Sequence, residues 1–312
     1  MTVAEWSGVT KRYGRITAVQ DVSLSLRAGE ATALVGHNGA GKTTLIKLML
    51  GLVRPERGAV RVLGVDPAGA RGAAARRALG FLPENVAFHA SLTARESMAF
   101  YARLKGCPVR ENDALLERVG IAHAAGRRVA TYSKGMRQRL GIAQALIGSP
   151  RLLLFDEPTS GLDPDSRAEV YETIDELRAS GATVLVSTHA LEEIERRVDR
   201  AAIVHRGRLV AAGSLDELRH GAQAQLRVRL RVRPCSTSTV LAQMPEAVRC
   251  LERDVDSLTL LAPADAKMPV LRAIGALGEL VEDVDLEAPG LQQLYRHWIE
   301  SSGVPSPAER PS

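Results

Sequence analysis

The sequence predicts an α/β fold with a parallel, doubly wound sheet, followed by a small α+β domain. Three short apolar runs, at 31–35, 152–155 and 183–187, have the length and composition of buried central strands. Helix-like sequence precedes the second and third runs, as expected when parallel strands are joined by crossover helices. From residue 226 onward apolar residues alternate with arginines, the period of a half-buried strand, so a second domain begins near there.

The elements before residue 220 follow in order. Residues 6–27 contain short β-prone pieces broken at Gly14 and Gly29, and they lead into the first apolar run. Residues 42–50 carry apolar side chains at helical spacing and stop at Gly51, which predicts a helix closed by a carboxyl-terminal glycine. Residues 93–145 are mostly helical in pattern, so we expect a helical insertion before the later strands.

The carboxyl-terminal region has its own pattern. Leu226, Val228, Leu230 and Val232 alternate with Arg227, Arg229, Arg231 and Arg233, so the arginines share one strand face that we expect to be solvated. A strand at 257–261 and two amphipathic helices, the second opened by Pro289, complete the predicted domain. The predicted organisation is a domain over 1–220, a small domain over 221–302 and a disordered tail over 303–312.

Composition limits the classes of function. The chain has 312 residues, 45% of them hydrophobic and 25% charged, which is ordinary for a globular protein. Cys107, Cys235 and Cys250 are odd in number and lack C-x-x-C spacing, which favours reduced thiols over disulfides or a metal site. No long apolar run and no secretory leader pattern is evident, so we expect a cytoplasmic location. The net charge of +5 suits an anionic partner but does not identify one.

Residues 36–43 read Gly-His-Asn-Gly-Ala-Gly-Lys-Thr and fit the pattern G-x-x-x-x-G-K-[ST] between a predicted strand and a predicted helix. Glycines let the backbone turn its N–H groups toward phosphate oxygens, and the helix amino end adds favourable partial charge. Lys42 can bridge the outer phosphates, and the hydroxyl of Thr43 can bind Mg²⁺. The residues predicted to bind nucleotide here are Gly36, His37, Asn38, Gly39, Ala40, Gly41, Lys42, Thr43 and Thr44.

Two carboxylates end the second apolar run. Charges at the end of a buried strand are costly unless they meet a cation or polarised water. We therefore expect Asp156 to contact Mg²⁺ and Glu157 to accept the proton of the water that attacks the γ-phosphate.

Segment 131–139, Thr-Tyr-Ser-Lys-Gly-Met-Arg-Gln-Arg, resembles the signature motif of ABC ATPases. The phosphate loop, this segment, the Asp-Glu strand, Ser-Gly-Leu-Asp at 160–163 and Ser-Thr-His at 187–189 occur once each in the family's order, over roughly residues 3–220. The resemblance implies the P-loop NTPase fold with an antiparallel β subdomain and a helical subdomain at about 91–146. It also implies an ATPase that uses ATP and Mg²⁺, forms an ATP-sandwich homodimer and drives a membrane permease from the cytoplasmic side.

Further roles follow from the resemblance residue by residue. Tyr13 looks like the aromatic residue that stacks on adenine, and His189 like the histidine that contacts the γ-phosphate. Asp163 looks like the residue that couples the two sites of the dimer. The signature residues, which would close over the ATP of the opposite subunit, are Ser133, Lys134, Gly135 and Met136.

The sequence departs from the family's pattern at three positions. Lys134 and Met136 replace a glycine and a glutamine of the signature, and Glu84 stands where a glutamine normally joins Mg²⁺ to the permease contact. A carboxylate can still bind Mg²⁺, but it adds negative charge near the phosphates.

A narrower resemblance concerns residues 80–96 and 100–106, which are similar to the ATPase subunit of the transporter serving nitrous oxide reductase maturation. It implies a role in copper-sulfide cluster assembly, with a permease and a periplasmic accessory protein as partners. In the wider family this segment meets the permease, so the resemblance implies that Val86 and Phe88 are docking residues.

Three alternatives stay open. The chain could serve another exporter of a drug, lipid or ion, because those ATPases share every motif. A soluble ABC ATPase acting on nucleic acid or ribosomes is disfavoured, since the long coiled-coil insertion is missing and the chain has one set of motifs; no nucleic-acid partner is expected. A regulator that binds nucleotide without hydrolysis is disfavoured by Glu157 and His189.

Overall fold

A computed structural model describes residues 1–263 and 266–302. The chain forms two compact units that divide between Ala212 and Gly213. Helix Leu215–Gly221 belongs to the second unit, where Gly221 faces the Trp298 ring so closely that an added Cβ would overlap it. The sequence placed the division after residue 220, because the alternating arginine pattern begins only beyond this helix. The predicted tail at 303–312 lies outside the described residues.

A six-stranded sheet in the order β5-β6-β7-β3-β8-β9 is the centre of the first unit. The bounds are β3 Ala31–Val35, β5 Leu79–Leu82, β6 Leu152–Asp156, β7 Val184–Thr188, β8 Arg200–His205 and β9 Arg208–Ser214. The neighbours β5, β6, β7, β3 and β8 pair in parallel in that order, and every residue of β3, β6 and β7 is buried. The predicted α/β fold with a parallel sheet is confirmed, and the carboxyl ends of β3, β6 and β7 meet at one edge.

An antiparallel three-stranded sheet lies beside it, in the order β2-β1-β4. Its strands are β1 Thr2–Tyr13, β2 Ile16–Arg27 and β4 Arg57–Val62. The first two are longer than the short pieces expected from the sequence, because repeated register shifts let them bend and stay paired. Trp6 from β1 is buried, and its Nε1 donates to the carbonyl of Leu45 at 3.3 Å.

Seven helices of the first unit surround the sheets in the described residues. They are α1 Lys42–Met49, α2 Gly72–Arg77, α3 Ala94–Lys105, α4 Asn112–Arg118, α5 Lys134–Leu146, α6 Pro164–Ala179 and α7 Leu191–Ile194. The side chains of Thr93 and Glu96 form a capping box at the start of α3, and Gly106 ends that helix with φ 74°. Ser133 caps α5 by accepting from the backbone N–H of Met136.

The second unit contains α8 Leu215–Gly221 and a four-stranded antiparallel sheet in the order β11-β12-β10-β13. Its further elements are β10 Gln225–Val232, α9 Thr237–Ala242, β11 Arg249–Arg253, β12 Ser257–Pro263, α10 Lys267–Ala276, β13 Val281–Glu287 and α11 Leu291–Ser301. The elements from β10 to β13 follow one another as strand, helix, strand, strand, helix and strand, the order of a split βαβ motif. Apolar side chains of β10 and β12 form the core with those of α10.

Arg229, Arg231 and Arg233 of the arginine row are exposed, Arg227 is half-buried, and the row is matched by acidic residues. Arg229 pairs with Glu287 at 3.6 Å, Arg231 with Glu282 at 3.6 Å and Arg233 with Glu279 at 2.8 Å. The sheet register sets β13, which is rich in carboxylates, directly beside β10. These ion pairs reduce the value of the row as a binding surface for an anionic polymer.

In the described ranges, 1–263 and 266–302, every helix is too short or too polar to cross a lipid bilayer.

Candidate active site

The loop between β3 and α1 lies at the edge where the parallel strands end. Gly39 and Gly41 have φ values of 81° and 108°, in the left-handed region that glycine adopts without strain. Gly36 is required for another reason, since an added Cβ would overlap the carbonyl oxygen of Val204 at the end of β8. Two of the three glycines therefore shape the turn, and the third allows close packing on the sheet.

Lys42, the first residue of α1, is buried to 6% exposure. Its Nζ donates to the carbonyl of Gly36 at 2.5 Å and lies 3.0 Å from Oε1 of Glu157. The ammonium group is therefore held at the centre of the loop by a carbonyl and a carboxylate, and it is placed where a phosphate would compete for it.

Glu157 follows β6 directly and is 7% exposed. Its φ of 47° is unusual for a residue with a side chain, and such conformations persist where the surroundings over-determine them. Oε2 of Glu157 lies 2.8 Å from Nδ1 of His189, whose side chain is 53% exposed. The fold thus brings together Lys42, Glu157 and His189, three residues that the sequence predicted for this site from separate segments.

Asp156 and Ser187 face each other across β6 and β7, where they are register partners. The hydroxyl of Ser187 donates to Oδ1 of Asp156 at 2.5 Å and accepts from the backbone N–H of Glu157 at 3.0 Å. From the sequence, Ser187 has no predicted role beyond its place in the Ser-Thr-His motif. The signal that could have identified it is a hydroxyl at the end of an apolar strand.

A cavity of about 410 Å³ opens over the loop, a size in the range of small-molecule sites. It is lined by Ile16, Thr17 and Ala18 from β2, by residues 37–44, and by Glu84 and Glu157. Tyr13 lies across the β1–β2 turn from the cavity, with Ile16 as its strand partner, and Nζ of Lys11 is 5.4 Å from its ring centroid. Eight of the nine predicted phosphate-loop residues line the cavity. The ninth, Gly36, accepts a hydrogen bond from Lys42 at its carbonyl.

The oxygen donors around the cavity suit Mg²⁺. Thr43 and Glu84 line it, and Asp156 lies beside Glu157 at the same sheet edge. Over the part of the chain that is described, no group of three or more His, Cys, Asp or Glu residues is arranged to hold a metal by itself. That combination fits Mg²⁺, which keeps few protein ligands and takes its remaining ones from water and nucleotide phosphates.

The signature residues are placed away from this cavity. Nζ of Lys134 donates to the carbonyl of Ser160 at 2.7 Å, and Gly135 packs so tightly on Ser166 that a Cβ there would overlap its hydroxyl. Asp163 caps α6 by accepting from the N–H of Ser166 at 2.9 Å, and this bond lowers the pKa of the Asp163 carboxyl. Residues 133–136 and 163 are not among the described residues that line the cavity of the same chain.

Comparison with known proteins decides the family. The family model described as "ABC transporter" matches residues 19–160. The chain is 35% identical over 299 residues to the daunorubicin resistance ATP-binding protein DrrA3 of Streptomyces coeruleorubidus, covering 93% of each chain. The chain belongs to the ABC transporter ATP-binding family. The predicted ATPase activity and the P-loop ABC fold are thereby confirmed, and ATP is the nucleotide of the family.

Other relatives of this ABC ATPase agree on the fold and differ in the molecules named. It is 34% identical to the doxorubicin resistance ATP-binding protein DrrA of Mycobacterium tuberculosis, with 93% of this chain and 91% of that protein covered. It is 40% identical to a Nod factor export ATP-binding protein of Mesorhizobium japonicum, over 68% of this chain and 64% of that protein. A solved structure of an ABC transporter ATP-binding subunit superposes with a TM-score of 0.64 at 34% identity, covering 70% of this chain and 92% of that one.

Proposed function

We propose that this chain is the ATP-hydrolysing subunit of an exporter for an organic molecule, and that it works as a homodimer attached to a separate membrane permease. The observation that carries the hydrolytic part is the contact of Lys42 and His189 with Glu157 beside one cavity of about 410 Å³. The exporter part is supported by the daunorubicin, doxorubicin and Nod factor relatives. These relatives favour the exporter alternative over nitrous oxide reductase maturation, which depends only on the resemblance of residues 80–106.

The geometry supports a specific first step. Lys42 and Glu157 form a buried ion pair at 3.0 Å. Entry of a triphosphate gives the ammonium a more highly charged partner, so Lys42 turns to phosphate and Glu157 becomes free to accept a proton. ATP binding therefore activates its own general base.

The attacking water then transfers its proton to Glu157 as its oxygen bonds to the γ-phosphorus and the bond to ADP breaks. His189, which contacts Oε2 of Glu157 at 2.8 Å, orients the carboxylate and the water. Mg²⁺, held by Thr43 with Asp156 and Glu84, would neutralise charge on the β- and γ-phosphates.

The homodimer follows from the position of the signature residues. Ser133 begins α5, and its helix amino end carries a partial positive charge that favours a phosphate. Because this end lies outside the chain's own cavity, we propose that it covers the ATP of a second copy. Lys134 contacts the carbonyl of Ser160, three residues before Asp163. Asp163 would then lie at the junction of the two sites.

The permease is proposed to dock on an apolar patch, the α3 patch, formed by the exposed Phe100 and Leu104 and the half-buried Phe88 and Tyr101. Phe100 and Leu104 are 56% and 74% exposed at (i, i+4) positions of α3, and the Tyr101 ring is 5.2 Å from that of Phe100 and 5.9 Å from that of Phe88. Val86, proposed from the sequence as a docking residue, is half-buried and lies close to Gly141 of α5. An apolar helix of the permease would cover this patch.

Substitution of the proposed base tests the function. Glu157→Gln should keep ATP affinity near that of the wild type and lower turnover by about a hundredfold or more, because an amide cannot accept the proton. Lys42→Ala should instead weaken ATP binding itself. Glu172→Gln, an exposed carboxylate of α6, is the matched control and should leave both quantities unchanged. Normal turnover in Glu157→Gln would refute the assignment.

The cargo is tested in membranes that contain the permease encoded with this chain. An exporter of organic molecules predicts that doxorubicin stimulates ATP hydrolysis and leaves the vesicle against its gradient. Stimulation by copper(I) and not by doxorubicin would favour the nitrous oxide reductase alternative.

A further inference from the structure

The end of β8 and the short turn to β9, residues 205–207, here called the β8–β9 turn, pack against the phosphate loop. The backbone N–H of Gly207 donates to the carbonyl of Ala40 at 2.9 Å. Beside the turn, the carbonyl of Val204 lies against Gly36 so closely that no Cβ would fit there. The turn therefore contacts the loop near both of its ends.

A loop of this kind needs such contacts because of its own electrostatics. Its N–H groups point toward one space, and parallel dipoles repel one another until an anion occupies that space. Contacts from outside the loop can keep it in the binding conformation before nucleotide arrives.

Two histidines form the side-chain contact between the turn and the loop. Nε2 of His37 lies 3.1 Å from Nδ1 of His205, and the rings meet edge to face with centroids 5.0 Å apart. Nδ1 of His37 is 2.7 Å from the carbonyl of Asn38. A carbonyl only accepts, so Nδ1 of His37 carries a hydrogen, and in the neutral ring Nε2 is an acceptor. His205 must therefore donate from Nδ1.

The burial of His205 agrees with that assignment. The residue is 2% exposed, and its Nε2 has no hydrogen-bond partner among the described residues. An acceptor nitrogen without a partner is tolerated in a buried site more easily than an N–H without one, which favours the Nδ1–H form. Burial also lowers the pKa of His205.

We propose that His205 is a positioning residue of the nucleotide site: by donating from Nδ1 to Nε2 of His37, it fixes the tautomer and the rotation of a ring that lines the phosphate cavity. The inference rests on the proposed nucleotide site and adds a residue from outside the family's motifs. It assigns to the β8–β9 turn the task of holding the loop ready for a triphosphate, which lowers the entropic cost of binding.

The tautomer can be observed directly. In the full-length protein labelled with ¹⁵N-histidine, long-range proton–nitrogen spectra distinguish Nδ1–H from Nε2–H rings, and His37→Gln identifies the signals of His37 among the seven histidines. In the wild type without nucleotide we expect His37 as a single Nδ1–H form. An Nε2–H form, or an exchanging mixture, would overturn the proposal without any variant having to fold at position 205.

Substitution of His205 then links the tautomer to binding. His205→Phe keeps an aromatic ring and removes the donor, so the His37 signals should become a mixture and the Kd for ATP should rise about five- to tenfold. His205→Asn retains an N–H donor at the δ position and should restore both the single form and a Kd within about twofold of the wild type. An unchanged Kd in His205→Phe, or equal losses in both variants, would show that the contact does not position the site.

The two levels of proposal fail in different ways. If the wild type does not bind ATP, or if Lys42→Ala binds as well as the wild type, the nucleotide site itself is wrong. If binding depends on Lys42 but not on the donor at His205, only the positioning role is wrong.

Discussion

Removing the hydroxyl of Ser187 is expected to cost the first unit about 2 kcal/mol of unfolding free energy. The hydroxyl donates to Oδ1 of Asp156, which is 3% exposed, so its loss takes a charge-assisted bond from a buried carboxylate. Such bonds contribute about 1.5–3 kcal/mol. The N–H of Glu157 adds little to the loss, because it also donates to the carbonyl of Ser187 at 3.1 Å and keeps that partner in Ser187→Ala.

The measurement must report on the first unit alone. The chain has two tryptophans, and Trp6 is buried in the first unit while Trp298 lies in the second. In a Trp298→Phe background, Trp6 fluorescence during guanidinium unfolding follows the unit that contains Ser187. Ser180→Ala removes a hydroxyl that bonds only the neutral carbonyl of Leu177, and it serves as the control. A loss below about 0.5 kcal/mol in Ser187→Ala, the range of ordinary surface changes, would refute the reasoning.

Two further predictions concern surfaces of the first unit. Lys134→Met removes the hydrogen bond to the Ser160 carbonyl and should slow ATP hydrolysis several-fold. Because the side chain is exposed, the free energy of unfolding should change by less than about 0.5 kcal/mol. Steady-state hydrolysis and thermal melting measure the two effects, and unchanged turnover would contradict the prediction. Phe100→Ser combined with Leu104→Ser should abolish co-purification with the permease and leave ATP affinity unchanged. Leu52→Ser, at another exposed apolar position, is the control and should co-purify like the wild type. Equal recovery of all variants would exclude the α3 patch as the docking surface.

Much of the fold could be predicted because its signals are local. The run of β3, the glycines at 39 and 41 and the helical spacing of α1 each occupy a few consecutive residues, and each restricts the backbone directly. The strand β10 is equally local, because alternation alone assigns its buried and exposed faces. The length of β1 and β2 was missed, since the register shifts that sustain these strands depend on their pairing with each other.

The candidate site was predicted as a set of residues but not as a set of contacts. Motif order gave Lys42, Glu157 and His189, while the ion pair of Lys42 with Glu157 joins the first residue of α1 to the residue that follows β6. The same holds for Gly36, which must be glycine because a Cβ there would overlap the carbonyl oxygen of Val204 on β8. No pattern within one segment contains either contact.

The sequence alone thus determined that a phosphate loop, a strand ending in two carboxylates and a mostly helical segment containing the signature residues exist in this protein. Tertiary structure decided which of their atoms meet: Ser187 with Asp156, His205 with His37, and Lys134 with the loop of Ser160. The physical reason is that local conformation depends on each residue's own steric limits and hydrophobic period, whereas these contacts depend on strand order and register. Both are set by burying the whole sheet at once.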